Sequence, residues 1–172
     1  MLSKKLTTAF SSQVNAEYYS AYLYLAMSAA ACRMGLSGVA NWLFIQAREE
    51  LAHGTHMYEY ILERCVTPSF APIDQPPAMF ADVNEIFEEV LAHEQKVTKR
   101  INDLTTLAML ESDHACYQFL MWYVSEQVEE ESHVSGILDK LRLIGDNNGL
   151  LLTLDNELAE RAFENPFPEK AD

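Results

Sequence analysis

The chain has 172 residues, enough for one domain with a sizeable core and too few for two comfortable ones. Twelve basic residues against twenty-six acidic ones give a net charge of −14, which repels phosphate backbones and anionic lipid heads and attracts cations, so no nucleic-acid or membrane partner is expected. Glycines number only six, four of the six prolines fall between residues 68 and 77, and apolar positions recur near every 3.6 residues, an all-α pattern.

No run of eighteen uncharged apolar residues occurs, and Met1-Leu2-Ser3-Lys4-Lys5-Leu6 leads into an amphipathic pattern without an apolar signal block, so a cytoplasmic protein is expected. Cys32, Cys65 and Cys116 are odd in number, widely spaced and lack a Cys-x-x-Cys pair. They read as small buried residues, not as a disulfide framework or a zinc or iron–sulfur site.

A first helix is expected over about residues 3–33, with Leu6, Phe10, Val14, Ala21 and Tyr24 on its buried stripe and Glu17 on that same stripe. Met34-Gly35-Leu36-Ser37-Gly38 breaks it, with Ser37 as the expected N-cap of a second helix over about 38–64. In that helix Arg48-Glu49-Glu50-Leu51-Ala52-His53 sets Glu50 and His53 three residues apart, on one face with Leu43, Gln46, Met57 and Ile61. Residues 65–81 carry prolines that forbid a continuous helix, and a connection of this length suits a chain that must travel about 45 Å along a bundle.

Asp82 caps a third helix running to about residue 110, with Val83, Ile86, Phe87, Val90, Val97, Ile101 and Leu104 inward and Glu94 interrupting them. Asp113 caps a fourth, running to about residue 144, with Tyr123, Gln127, Glu130, Val134, Ile137 and Leu141 inward. A short fifth helix is expected over about 150–163, with apolar Leu151, Leu152, Leu154 and Leu158, and then an irregular tail over 164–172. The whole is one domain, with the bundle spanning residues 3–145.

The inward polar residues repeat. Glu17 precedes Glu50 by 33 residues and Glu94 precedes Gln127 by 33, while His53 follows Glu50 by three as Glu130 follows Gln127. Each hairpin turn lies about 16 residues from its paired side chains, or roughly 24 Å of helix, so these groups share one height in the middle of the bundle. Buried carboxylates ordinarily pair with Arg or Lys. Here Arg48, Arg64, Lys96, Lys99, Arg100 and Lys140 all lie off the stripes that carry Glu17, Glu50, Glu94 and Glu130. Burying these acids unpaired would cost several kcal/mol per charge unless they were protonated. Metal ions resolve the conflict, and an oxygen-rich site with an imidazole and no thiolate suits iron or manganese better than structural zinc. One Glu from each of two helices and Glu-x-x-His from the other two is the known pattern of di-iron carboxylate bundles, and it is that pattern that is matched. The first half carries it in full; the second reads Gln127-x-x-Glu130.

On Arg48-Glu49-Glu50-Leu51-Ala52-His53, on Trp122-Tyr123-Val124-Ser125-Glu126-Gln127-Val128-Glu129-Glu130-Glu131, and on Glu17, Tyr24 and Glu94, the sequence over residues 1–163 resembles the ferritins of the non-haem bacterial type. The resemblance implies a four-helix bundle with a long crossover and a short fifth helix. It also implies a homo-oligomeric shell of 24 copies and a ferroxidase that oxidises Fe(II) with O₂ or peroxide and stores a ferric mineral. Glu17, Glu50 and His53 would hold the first iron, and Glu50 would bridge to a second held by Glu94 and Glu130. Gln127 would hydrogen-bond nearby or orient the oxidant. Glu49, Glu126 and Glu129, with Glu130, resemble a third iron site, for which a solvated acidic face is the alternative. Tyr24 and Trp122 match aromatic positions beside the centre, where plain packing competes with a redox role. Haem-binding relatives carry a methionine after the second-helix glutamate and a histidine in the later motif; Leu51 and Glu130 stand there instead, so no haem is expected. Tyr117 and Leu120 occupy positions where animal ferritins line three-fold channels with acids, which leaves iron to enter elsewhere. His56, His93, His114 and His133 read as surface or supporting residues. The rival readings are a small di-iron oxidase or peroxidase resembling rubrerythrin or the ribonucleotide reductase small subunit, and a shell subunit that only nucleates mineral. The first usually needs the missing second Glu-x-x-His, and the second would show loss of Glu17, Glu50 or His53.

Overall fold

Local capping starts most of the helices. Ser3 Oγ accepts from Leu6 N at 3.2 Å, Asp82 Oδ1 from Glu85 N at 3.0 Å and Asp113 Oδ1 from Cys116 N at 3.0 Å, each satisfying a backbone donor that the first turn leaves free. The computed structural model describes residues 1–167, and these form α1 (Lys4–Arg33), α2 (Ser37–Glu63), α3 (Val83–Leu110), α4 (His114–Ile144) and α5 (Asn148–Ala159), with no strand. Asn147 caps α5 through Gly149 N and Leu150 N.

Helix α2 is the exception. Ser37 is its first helical residue, not its cap, and Leu36 at the cap position offers no side-chain acceptor. The acceptor comes from 116 residues away, where buried Asp155 of α5 takes the Val39 N–H at 2.8 Å and puts a carboxylate at the positive end of the α2 dipole. The contact is intimate, since a Cβ on Gly38 would sit 1.6 Å from the Asp155 carbonyl oxygen. Helix α5 ends at Ala159, four residues before the expected end. Its last donors, Glu160 N and Arg161 N, tighten onto Glu157 O and Leu158 O, while Asn41 Nδ2 donates to the carbonyls of Ala159 and Arg161. Of the expected apolar set Leu154 and Leu158 are buried, whereas Leu152 is exposed. Residues 161–167 are non-helical; the rest of the expected tail, 168–172, lies outside the described residues.

The connection over residues 65–81 follows α1 from near its start to its end. Ser69 N donates to Ser11 Oγ, Asn15 Nδ2 to Pro72 O and Arg33 Nη2 to Ala78 O. That path returns the chain to the end of the bundle where α2 began, so α2 and α3 run parallel while α1/α2 and α3/α4 form antiparallel hairpins. All the inward apolar residues expected on α1 to α4 are buried. They form two clusters, one around Tyr24, Met27, Leu43, Phe87 and Leu141, the other around Phe10, Val14, Met57, Ile61, Ile101 and Leu120. The polar layer lies between them. The cysteine expectation needs correcting: Cys116 is buried, but Cys32 and Cys65 are exposed, because Cys32 falls on the outer side of α1 and Cys65 lies beyond the α2 terminus. Among the described residues no helix is long and apolar enough to cross a membrane.

Candidate metal centre

Four helices deliver acids to one level. Glu17, Glu50, Glu94 and Glu130 are 1 to 3 % exposed, His53 is 5 % and Gln127 7 %. Glu17, Glu50 and His53 each offer a ligand atom within 4.8 Å of the others, close to what one shared ion with bonds of about 2.0 to 2.2 Å requires. Gly54 permits this approach of α2 to α1, since a Cβ there would meet the Tyr18 ring at 2.7 Å and Glu17 Cβ at 3.2 Å. A cavity of about 10 Å³, room for one water-sized object, is lined by Glu17, Glu50, His53, Val97, Ile101, Tyr123, Glu126 and Gln127. A cleft of about 390 Å³ lies away from this chemistry, between α1 and the crossover.

The second half of the centre is organised differently. Glu94 accepts from Tyr24 Oη on one oxygen and from Gln127 Nε2, at 3.0 Å, on the other. Glu130 Oε2, Gln127 Oε1 and His53 Nε2 are buried without a hydrogen-bond partner, which is costly unless something else engages them. Tyr123 Oη donates to the His53 carbonyl at 3.0 Å and lies 3.0 Å from His56 Nδ1, and the Trp122 ring meets the His53 ring edge-on at 5.3 Å. His56 thus contacts Tyr123 beside the centre, and His93 Nε2 lies 2.8 Å from Ser20 Oγ.

No Lys or Arg forms an ion pair with Glu17, Glu50, Glu94 or Glu130 among the described residues. The consequence is electrostatic. Burial, then the Glu50 charge, lifts the Glu17 carboxyl to about 8. Burial, then Glu130, lifts Glu94 to about 8. Glu50 also moves upward, from burial and then from Glu94 and Glu130. Such acids keep protons that a divalent cation can displace. Tyr24, raised by burial and by Glu94, stays a phenol.

The expected third group is only partly assembled. Glu49 is engaged by Arg161 Nη2, Glu126 is half-buried at the cavity wall, and Glu129 is exposed. Arg161 escaped the sequence reading, because it lies beyond α5 and folds back 112 residues to reach Glu49 while its guanidinium stacks on Trp42. Phe167 also escaped it. That ring stacks on His56 at 3.7 Å and packs at 4.4 Å against Trp122, closing the aromatic wall behind His53.

The sequence profile of the Ferritin-like domain matches residues 7–144. The chain belongs to the ferritin family. A bacterial non-heme ferritin of Staphylococcus saprophyticus is 40 % identical over 164 residues, covering 95 % of this chain and 98 % of that one. Its counterpart in Staphylococcus aureus is 38 % identical over the same length. Among solved structures, the open-pore ferritin of the hyperthermophilic archaeon Archaeoglobus fulgidus superposes with a TM-score of 0.93 at 44 % identity, covering 94 % of this ferritin and 99 % of that chain. A closed form of it engineered by site-directed mutagenesis gives 0.94, covering 95 % and 100 %.

Proposed function

We propose that this ferritin is a ferroxidase that stores iron: it binds Fe(II) as substrate at the mid-bundle centre, oxidises it to Fe(III), and passes the product to a mineral inside a homo-oligomeric shell. The observation that carries the reading is the set of four buried carboxylates and one imidazole without a basic partner. Fe(II) held by Glu17, Glu50 and His53, with Glu50 bridging to a second ion on Glu94 and Glu130, would replace the protons these acids otherwise keep. Hard oxygen ligands favour Fe(III) over Fe(II) by charge, and two ions side by side deliver two electrons jointly to O₂ or peroxide. Gln127 and Tyr24 each donate to one oxygen of Glu94, which orients that carboxylate and leaves a lone pair on each oxygen for the second ion. A third ion on Glu49, Glu126, Glu129 and Glu130 would share Glu49 with Arg161, which engages its Oε2, and would meet that positive charge at short range. Nothing in this chemistry requires haem.

Exposed apolar side chains on the outer faces of α1 and α2, Tyr22, Leu25, Phe44 and Leu51, support burial against further copies. Twenty-four chains of 19.5 kDa would form a shell of about 470 kDa with closed symmetry, in the cytoplasm. Size-exclusion chromatography and stopped-flow absorbance after Fe(II) addition test the proposal together. The expected result is a large shell with a fast phase saturating at about two irons per chain, abolished in Glu50→Ala without loss of assembly. A dimer without a fast phase, or a Glu50→Ala variant that oxidises iron normally, would overturn it.

A further inference from the structure

Gln13 and Gln46 each stand one helical turn before a carboxylate of the centre, four residues ahead of Glu17 and Glu50. Both are buried, at 2 % and 0 % exposure. In each the amide oxygen is held by an arginine from a distant element. Arg100 Nε of α3 donates to Gln13 Oε1 at 2.9 Å, and Arg161 Nη1 donates to Gln46 Oε1 at 2.8 Å. A guanidinium can only donate, so an amide that faces it must present oxygen, and the amide NH₂ is forced the other way. For Gln13 that way is Glu17, whose Oε1 accepts from Nε2 at 2.8 Å. Arg100 is itself anchored, donating through Nη2 to Ser12 O at 2.9 Å and Ser12 Oγ at 3.1 Å. At Gln46, 33 residues later, the arginine-held amide oxygen recurs, but the buried Nε2 makes no hydrogen bond, so only Gln13 completes the link from arginine to carboxylate.

We propose that Arg100 is a positioning residue of the metal centre: by locking the Gln13 amide it fixes Glu17 Oε1 and leaves Oε2 to face the metal. The inference rests on the iron-binding reading of the centre. An arginine placed directly on Glu17 would occupy the oxygens a metal needs and would repel Fe(II) at short range. An interposed amide brings only an oriented dipole, while the full positive charge stays at the surface. Without Arg100 the amide is free to flip and set its oxygen against the Glu17 carboxylate.

The test is a Co(II) titration of the metal-stripped assembled protein, followed by visible absorbance of the bound ion. Arg100→Met and Gln13→Leu should each weaken the tighter site about tenfold, as loss of a group that orients a ligand typically does. The double variant should bind no more weakly than Gln13→Leu alone, because Arg100 acts only through that amide. Arg100→Lys, still a donor, should retain most of the affinity, and assembly size should match the parent throughout, with the melting temperature of Arg100→Met lowered by the buried Gln13 oxygen it leaves unpaired. Parental affinity in Arg100→Met, losses that multiply in the double variant, or a loss in Arg100→Lys as large as that in Arg100→Met would overturn the proposal. Glu50→Ala separates the two readings. If it leaves Co(II) binding unchanged, the centre itself is wrongly assigned and both fall; if it abolishes binding while Arg100→Met has no effect, only the role of Arg100 falls.

Discussion

Glu17→Gln should make the metal-free protein more stable, and increasingly so as the pH rises. The Glu17 carboxyl is lifted from 4.5 to about 8 in the folded chain, so its folded pKa lies above its unfolded one. The sign follows: the folded state is favoured below about 4.5, and that advantage is lost as pH rises through 8. At pH 7 the cost relative to pH 4.5 is 2.5 units, or about 3 kcal/mol for a side chain this completely buried. Glutamine keeps the shape and the Gln13 hydrogen bond but carries no titrating proton. For a chain of this size about 3 kcal/mol corresponds to roughly 6 to 12 °C. Melting of metal-free parent and variant at pH 5, 7 and 8 is the assay. They should nearly coincide at pH 5 and diverge with the variant higher at pH 7 and 8, and Co(II) should reverse the order by stabilising only the parent. A parallel pH dependence in the two proteins, or a variant that melts lower at pH 8, would refute the electrostatic account of the centre.

Asp155→Ala removes the acceptor at the start of α2 and should cost about 1 to 2 kcal/mol, seen as a lower melting temperature at unchanged iron oxidation. Gly38→Ala should act more severely at the same contact, because its Cβ collides with the Asp155 carbonyl; limited proteolysis should then cut α5. Arg64 holds the Asp113 carboxyl down at about 2, so this pair stabilises the fold above about pH 4 and its contribution fades as pH falls toward 2. Asp113→Asn keeps the α4 cap but loses the charge, and should cost about 1 to 2 kcal/mol at pH 7, allowing for partial exposure, and nearly nothing at pH 2. A cost that persists unchanged in acid would assign the effect to the cap and not to the pair.

Periodicity carries most of the fold. Stripes such as Val83, Ile86, Phe87, Val90 and Val97 locate the buried faces because burial on a helix recurs near every 3.6 residues, and the 33-residue spacing of Glu17 and Glu50 exposes the shared height of the acids. The features that escaped are contacts between positions far apart in sequence. Ser37 was the natural local cap, yet Asp155 supplies the acceptor, and nothing near residue 37 announces it. Arg100 lies off the buried stripe and so looks irrelevant to Glu17; its guanidinium reaches the centre only through Gln13, an effect of side-chain length that a stripe cannot show. The same holds for Arg161 on Gln46 and Glu49, and for Phe167 behind His53. Cys32 and Cys65 show that composition alone does not settle burial, since the phase of one helix and the end of another decided it.

Anomalous diffraction at the iron edge, from crystals soaked anaerobically in Fe(II), tests the central claim most directly. Two iron peaks per chain are expected, one among Glu17, Glu50 and His53 and the other among Glu50, Glu94 and Glu130. Iron bound only at surface acids such as Glu129, with Glu17, Glu50 and His53 bare of metal, would contradict it.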